Sequence, residues 1–208
     1  MPTDTGRTPQ DLVAELKDEL AVDWPGLWQG LPQLGGPEFH RLFEGYGWEY
    51  DVPVHERGSV PVRTRTGAHL TIEMDTLFRV RRVVHDAWRT RAGDPSENDA
   101  VLTRATEDWP LYVKAVESVL GTPTWSGSWN APDFPEPPDR SYWADGSYRL
   151  ENRTPHALAH WKPAEDAVGR PWVVLRQSIY PATWTTTRPG GTALTLNLWA
   201  PPESSETS

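Results

Sequence analysis

The spacing of apolar residues along the chain changes repeatedly, and each period predicts a different kind of element. Leu12, Leu16 and Leu20 recur every four residues after the Thr-Pro pair at 8–9. This pattern is typical of an amphipathic helix with a capping threonine and a proline at its first position. The Trp-Pro-Gly triplet at 24–26 should end that helix.

Two further helices follow from the same reasoning. A second short helix should begin at Pro37 and bury Phe39 and Phe43 before the glycines that follow end it. A long central helix is predicted over 96–120, where an apolar stripe recurs at helical spacing behind a capping serine. Pro110 lies inside this stretch, so we expect a kink there, or a break into two helices.

Alternation of apolar and polar residues predicts β-strands on both sides of the central helix. We expect strands at 48–52, 60–64, 70–74, 78–84, 157–162, 171–179, 182–187 and 193–199. In the last of these, Leu194, Leu196 and Leu198 should face the core, whereas Trp199 should face the other way.

The segments between these strands carry turn signals. Residues 85–96 are polar enough to predict a connection before the central helix. The Asp-Gly pair at 145–146 lies between the aromatic stretches 142–144 and 147–150, which favours a two-residue hairpin. No segment after Gly121 has a helical pattern.

These elements predict an α+β fold, in which antiparallel meander sheets pack with two short N-terminal helices and one long central helix. We expect a single domain over 1–200 and a disordered polar tail over 201–208.

Composition narrows the class of protein. The chain has 208 residues, no cysteine and a net charge of −9, which excludes thiolate chemistry and disfavours a nucleic-acid partner. No apolar run approaches the length of a membrane span, and the first residues do not resemble a secretory signal. We therefore expect a cytoplasmic protein that does not contact membranes.

Candidate chemistry is sparse, and the sequence predicts no catalytic residue, no metal site and no cofactor. His156 and His160 are four apart, but in a strand their rings would lie roughly 13 Å apart, too far for one ion. Glu73 and Asp75 fall near the arginines at 79–82, which favours a solvated ladder of salt bridges over a nucleic-acid patch.

Tryptophan is the unusual feature, with 12 in the chain. Seven fall after residue 124, and a Pro-rich acidic loop occupies 130–140 among them. Such rings serve either as large core residues or as contact residues for a partner. The candidate binding residues are Trp129, Asp133, Glu136, Asp139, Trp143 and Trp199.

One stretch of the chain resembles a known group of proteins. Residues 83–88 (VVHDAW), followed by a helix that ends at 116–124 (VESVLGTPT) and then a tryptophan-rich meander, are similar to small actinobacterial proteins. Some of those are regarded as immunity partners of polymorphic toxins. The similarity covers about a quarter of the chain, 77–125, and transfers no functional residue.

The resemblance implies a non-enzymatic protein that binds and neutralises a toxin. The acidic charge and the loop at 130–140 are consistent with a basic, toxin-like partner. The alternative is a small-molecule enzyme or ligand-binding protein with an aromatic-lined pocket and a buried polar group of shifted pKa.

Overall fold

The computed structural model describes residues 1–50 and 58–202. The helices are α1 (Pro9–Leu20), α2 (Trp24–Trp28), α3 (Pro37–Tyr46), α4 (Asn98–Leu120) and α5 (Gly146–Asn152). The strands are β1 (Thr3–Asp4), β2 (Trp48–Tyr50), β3 (Ser59–Thr64), β4 (His69–Met74), β5 (Val80–Arg91), β6 (Trp125–Ser128), β7 (Ala157–Trp161), β8 (Trp172–Ile179) and β9 (Gly191–Trp199).

Within the described residues these strands form one antiparallel sheet, and the fold class expected from the sequence is confirmed. Strands β2 to β5 make one meander and β6 to β9 make a second. The two meanders join where β5 pairs with β9, with Val83 opposite Leu198 and His85 opposite Leu196. Short β1 adds to the end of β5, beyond the last residue that β4 reaches.

The sheet has a different cover on each face. Leu194, Leu196 and Leu198 pack with the helices in the main core, as predicted. Trp199 points to the opposite face, where it packs in a second, smaller core. No helix among residues 1–50 and 58–202 combines the length and the apolar character needed to cross a membrane.

The N-terminal helices differ in number from the prediction. Helix α1 begins as expected, with Thr8 and Asp11 in a reciprocal capping box. It ends at Leu20, and Asp23 then caps α2 as a separate short helix, so three helices precede β2 in the described chain instead of two. Trp24 was expected to end α1, but its ring is buried against Trp28 in α2.

The predicted polar connection at 85–96 is wrong, because β5 continues to Arg91. A register shift between Asp86 and Trp88 places Ala87 and Trp88 in succession in the buried part of the strand. The bulge interrupts the alternation of apolar and polar residues. A prediction based on that alternation therefore ends the strand too early.

Helix α4 runs without a break from Asn98 to Leu120 and contains Pro110. The prediction of two separate helices is therefore not realised. Pro110 lies on the exposed side of the helix. There, solvent can satisfy the carbonyl group that loses its partner, so the helix accommodates the ring.

Two predicted elements after Gly121 are wrong. Asp145 does not begin a hairpin turn but caps α5, and its side chain accepts a hydrogen bond from the Tyr148 backbone N–H at 3.1 Å. Aspartate is a preferred helix cap, so the same Asp-Gly pair also allows a helix to start. Residues 182–187 do not form a strand, since Pro181–Trp184 is a 3₁₀ turn.

The buried side chain of Asn98 bonds to this turn and to the segment after it. The Asn98 amide, at the start of α4, donates to the carbonyls of Ala182 (3.3 Å), Thr185 (2.8 Å) and Arg188 (3.0 Å). Its oxygen accepts from the Gly190 N–H at 2.8 Å. Asn98 thus replaces the strand neighbours that this segment lacks.

Two predicted segments extend beyond the described residues. The end of the strand expected at 48–52 falls outside them, and so does most of the tail expected at 201–208.

We predict that Asn98→Ala lowers the free energy of unfolding by about 2–4 kcal/mol, because it leaves several buried backbone groups without partners. Urea denaturation followed by tryptophan fluorescence measures this difference. Asn152→Ala is the matched control, since the Asn152 amide makes one exposed hydrogen bond, to the Tyr148 carbonyl. Equal losses in the two variants would contradict the role given to Asn98.

Candidate functional site

The face of the sheet opposite α1 and α4 is covered by the segment 130–145, which we call the outer layer. Its side chains and those of the sheet form the second core. The members of that core are Phe134, Tyr142, Trp143, Leu158, Val174 and Trp199. An irregular, proline-rich segment therefore covers this face of the sheet, as helices cover the other face.

Stacked rings hold the outer layer to the sheet. The His160 ring lies between Trp143 and Trp172, with centroids 5.3 Å and 5.8 Å away. Tyr142 stacks on Trp199 at 4.5 Å and 11°. Burial lowers the pKa of His160, so the ring stays neutral and packs as an aromatic. These contacts make a rigid platform for the exposed residues of the segment.

The three acidic residues predicted for binding all lie exposed on the outer layer. Asp133 accepts a hydrogen bond from the Trp125 indole N–H at 3.2 Å. Asp139 accepts from the Ser141 backbone N–H and hydroxyl, and these bonds lower its pKa. Glu136 lies between them in the chain, so the layer presents carboxylates to solvent along its length.

A second exposed feature lies beside this layer and is built from Trp129, Arg153 and Trp184; we call it the indole cluster. The Arg153 guanidinium lies 5.5 Å from the Trp129 ring centroid and 5.1 Å from that of Trp184. Trp184 is 43% exposed and also contacts the ring of His156. The cluster therefore offers two indole rings and a cation on an ordered surface.

The six predicted binding residues thus divide into two groups. Trp129, Asp133, Glu136 and Asp139 are exposed or half-buried. Trp143 and Trp199 are 3% and 5% exposed, so they belong to the packing between the outer layer and the sheet and do not present a surface.

Asp139 and Trp199 both line a groove of 780 Å³, which lies between the outer layer, the end of β4 and the start of β5. Arg82 lies in this groove, 4.5 Å above the Trp199 ring, and pairs with Glu73 at 2.6 Å. Asp75 pairs with Arg79 and Arg81. The predicted ladder of salt bridges along these strands is confirmed.

The predicted strand is present at the histidine pair, with His160 in β7 and His156 just before it. In the part of the chain that the structure describes, no group of three or more histidine, cysteine or acidic residues is arranged to hold a metal ion.

A charged cluster that was not predicted from the sequence lies inside the main core, between α1 and β5. His85 is fully buried, with Nε2 2.8 Å from Glu15 Oε2 and Nδ1 2.8 Å from Glu19 Oε1. Arg7 pairs with Glu15, and the Thr66 hydroxyl donates to Glu15 Oε1 at 3.2 Å. The available signal was the i, i+4 spacing of two glutamates flanking the leucine stripe of α1.

The electrostatics of this cluster follow from its burial. Desolvation disfavours a charged imidazole, but the attraction of Glu19 and the contacts with both carboxylates outweigh it and raise the pKa of His85 to about 9. Burial would likewise raise the pKa of Glu15, yet His85 and Arg7 lower it. The cluster is therefore an ion network, in which two cations face two carboxylates.

Comparison with models of known protein families gives no match, and comparisons with curated proteins and with solved structures likewise give none. Function must therefore be inferred from the residues and their geometry.

We predict that His85 makes stability depend on pH. Its folded pKa of about 9 lies above the ordinary value of 6.5, so its contribution is complete below pH 6.5 and is lost as the pH rises through 9. The loss is on the order of 3 kcal/mol, at about 1.4 kcal/mol for each unit between the two pKa values. Glu15 has the opposite sign, and its contribution is lost in acid.

Chemical denaturation at a series of pH values from 6 to 9.5 measures this dependence. The variant His85→Gln should be less stable at pH 6 and should lack the decline towards pH 9.5. His69→Gln, which changes an exposed histidine at the start of β4, should retain the decline. Parallel curves for the wild type and His85→Gln would refute the assignment.

Proposed function

We propose that this protein is a non-enzymatic protein-binding protein that contacts its partner through the indole cluster and the acidic outer layer. The observation that carries the proposal is the indole cluster, in which Arg153 orders Trp129 and the exposed Trp184. Tryptophan and arginine are the residue types that contribute most to binding at protein interfaces.

Preorganisation supports this choice. Trp184 ends the 3₁₀ turn, which is tied to α4 through Asn98. Arg153 has a φ of 52° at the end of α5, a left-handed conformation that is uncommon for residues other than glycine. A surface whose anchor residues are already ordered loses little conformational entropy on binding.

Charge indicates the kind of partner. The chain has a net charge of −9, and Asp133, Glu136 and Asp139 lie exposed on the outer layer. Such a surface attracts a basic protein and raises its association rate. Together with the resemblance of residues 77–125, this supports a finer proposal: an immunity protein that neutralises a basic toxin in the cytoplasm.

The alternative of a small-molecule enzyme or ligand-binding protein requires an aromatic-lined pocket with a buried titratable group. In the outer layer, stacked rings occupy the space between segment and sheet. Support for the alternative comes instead from the helix side, where a pocket beside Tyr46 and Trp48 reaches Glu15 and Glu19.

We predict that Trp184→Ala weakens binding to the partner by about 30-fold or more, as the loss of an interface anchor does. The partner to test is the protein encoded by the adjacent gene, first by bacterial two-hybrid assay and then by calorimetry with the purified proteins. Val168→Ala is the control, because Val168 is 85% exposed and lies in a different loop. Absence of a complex with the wild-type protein would overturn this partner assignment.

The acidic residues of the outer layer should have a separate effect on the rates of binding. The triple variant Asp133→Asn, Glu136→Gln and Asp139→Asn should slow association about tenfold at low salt and have less effect on dissociation. Stopped-flow or surface plasmon resonance measurements at several salt concentrations separate the two rates. A change confined to dissociation would show that the loop does not attract the partner electrostatically.

A further inference from the structure

A pocket on the helix side of the sheet adjoins the buried ion network. It has a volume of about 220 Å³ and lies between the end of α1, the end of α3 and the strands β2 and β3. Carboxylates, aromatic rings and threonine hydroxyls line it together. The lining residues that matter here are Glu15, Asp18, Glu19, Tyr46, Trp48 and Thr66.

Glu19 is the unusual member of this lining. The residue is 3% exposed, and its Oε1 contacts His85 at 2.8 Å. Its Oε2 is buried and has no hydrogen-bond partner among residues 1–50 and 58–202. A carboxylate oxygen without a partner is costly in a protein interior, and a ligand that donates a hydrogen bond to it removes that cost.

Charged groups of both signs surround the pocket. Arg7 and His85 face Glu15 and Glu19, so two positive groups are matched with two negative ones. Asp18 adds a third carboxylate to the lining. Arg65, which packs over Gly47 at the turn after α3, adds a third cation near it. The oxygen of Glu19 that has no partner, and not a net charge, therefore marks where a cationic group would bind.

The aromatic walls complete the chemistry. Tyr46 and Trp48 lie with ring centroids 4.9 Å apart, and both residues belong to the lining. An aromatic ring beside carboxylates suits a group that is positively charged at one end and apolar at the other.

We propose that this pocket binds a small organic monocation, whose ammonium or guanidinium group donates to Glu19 and whose apolar part contacts Tyr46 and Trp48. The volume limits the ligand. An engineered protein cavity of about 150 Å³ takes up benzene, so 220 Å³ accommodates roughly eight or nine non-hydrogen atoms. This ligand site is separate from the indole cluster and does not depend on the protein-binding proposal.

Calorimetry with three probes of the same length tests the charge requirement. The probes are n-butylammonium, 1-butanol and butyrate, each titrated into the full chain at pH 7 and low salt. We expect n-butylammonium to bind with a Kd of about 1 mM or tighter, 1-butanol at least about tenfold more weakly, and butyrate not at all. Amide chemical shifts of residues 15–22, 45–48 and 64–66 locate the bound probe.

Variants test the location without breaking the ion network. A side chain built at Gly45, which lies in α3 and lines the pocket, meets no atom within 4 Å at its Cβ. Gly45→Leu should therefore narrow the pocket at this exposed lining position and weaken binding, with little change in melting temperature. Asp18→Asn should weaken binding about tenfold, whereas Glu38→Gln, an exposed acid elsewhere on α3, should leave it unchanged.

Glu19→Gln is the most direct variant, but it also removes a partner of His85. Its result counts only if the melting temperature stays within a few degrees of the wild type, and a loss of at least tenfold is then expected. Equal affinity for 1-butanol and n-butylammonium, failure of n-butylammonium to bind the wild type, or unchanged binding in Gly45→Leu would each overturn the proposal. Absence of a protein partner would leave this site unaffected.

Discussion

The pairing of β5 with β9 is the interaction on which the rest of this structure depends. Each strand belongs to a different meander, and their register, with Val83 opposite Leu198, makes one sheet from two. Because side chains alternate along a strand, this register sends Leu196 to the helices and Trp199 to the outer layer. A shift of one residue would exchange the two faces and expose both cores.

The sheet also explains why charged groups are tolerated in the main core. His85 lies opposite Leu196 on the face that α1 covers, so an imidazole is buried where an aliphatic residue would be expected. Glu15 and Glu19 supply compensating charge from successive turns of α1. Removing one partner would leave a buried charge alone, so the network ties the position of the helix to the sheet. The ion network therefore specifies how the helix docks as well as how stable it is.

Both proposals rest on what the packing of the sheet leaves exposed. On one face the stacked rings hold the outer layer to the sheet, so the proposed protein-binding surface consists of residues that project from that layer, such as Asp133, and of Trp184 beside it. On the other face, the ion network leaves one oxygen of Glu19 without a partner beside an aromatic-lined pocket. The proposed protein-binding surface and the proposed cation pocket are built from different residues, and each proposal can fail without the other.

The sequence by itself determined the periodic elements: the capped start of α1, the helix over α4, the alternating strands and the leucine face of β9. Local spacing and capping chemistry suffice for these. Only the tertiary structure decided the rest. Because of the bulge near Trp88, the second half of β5 was not predicted. The contact of His85 with Glu19 joins residues that are 66 positions apart in the chain. Likewise, the sequence around Trp199 does not reveal whether its ring is exposed or covered. A segment that is distant in the chain covers this ring, and local periodicity contains no information about such long-range packing.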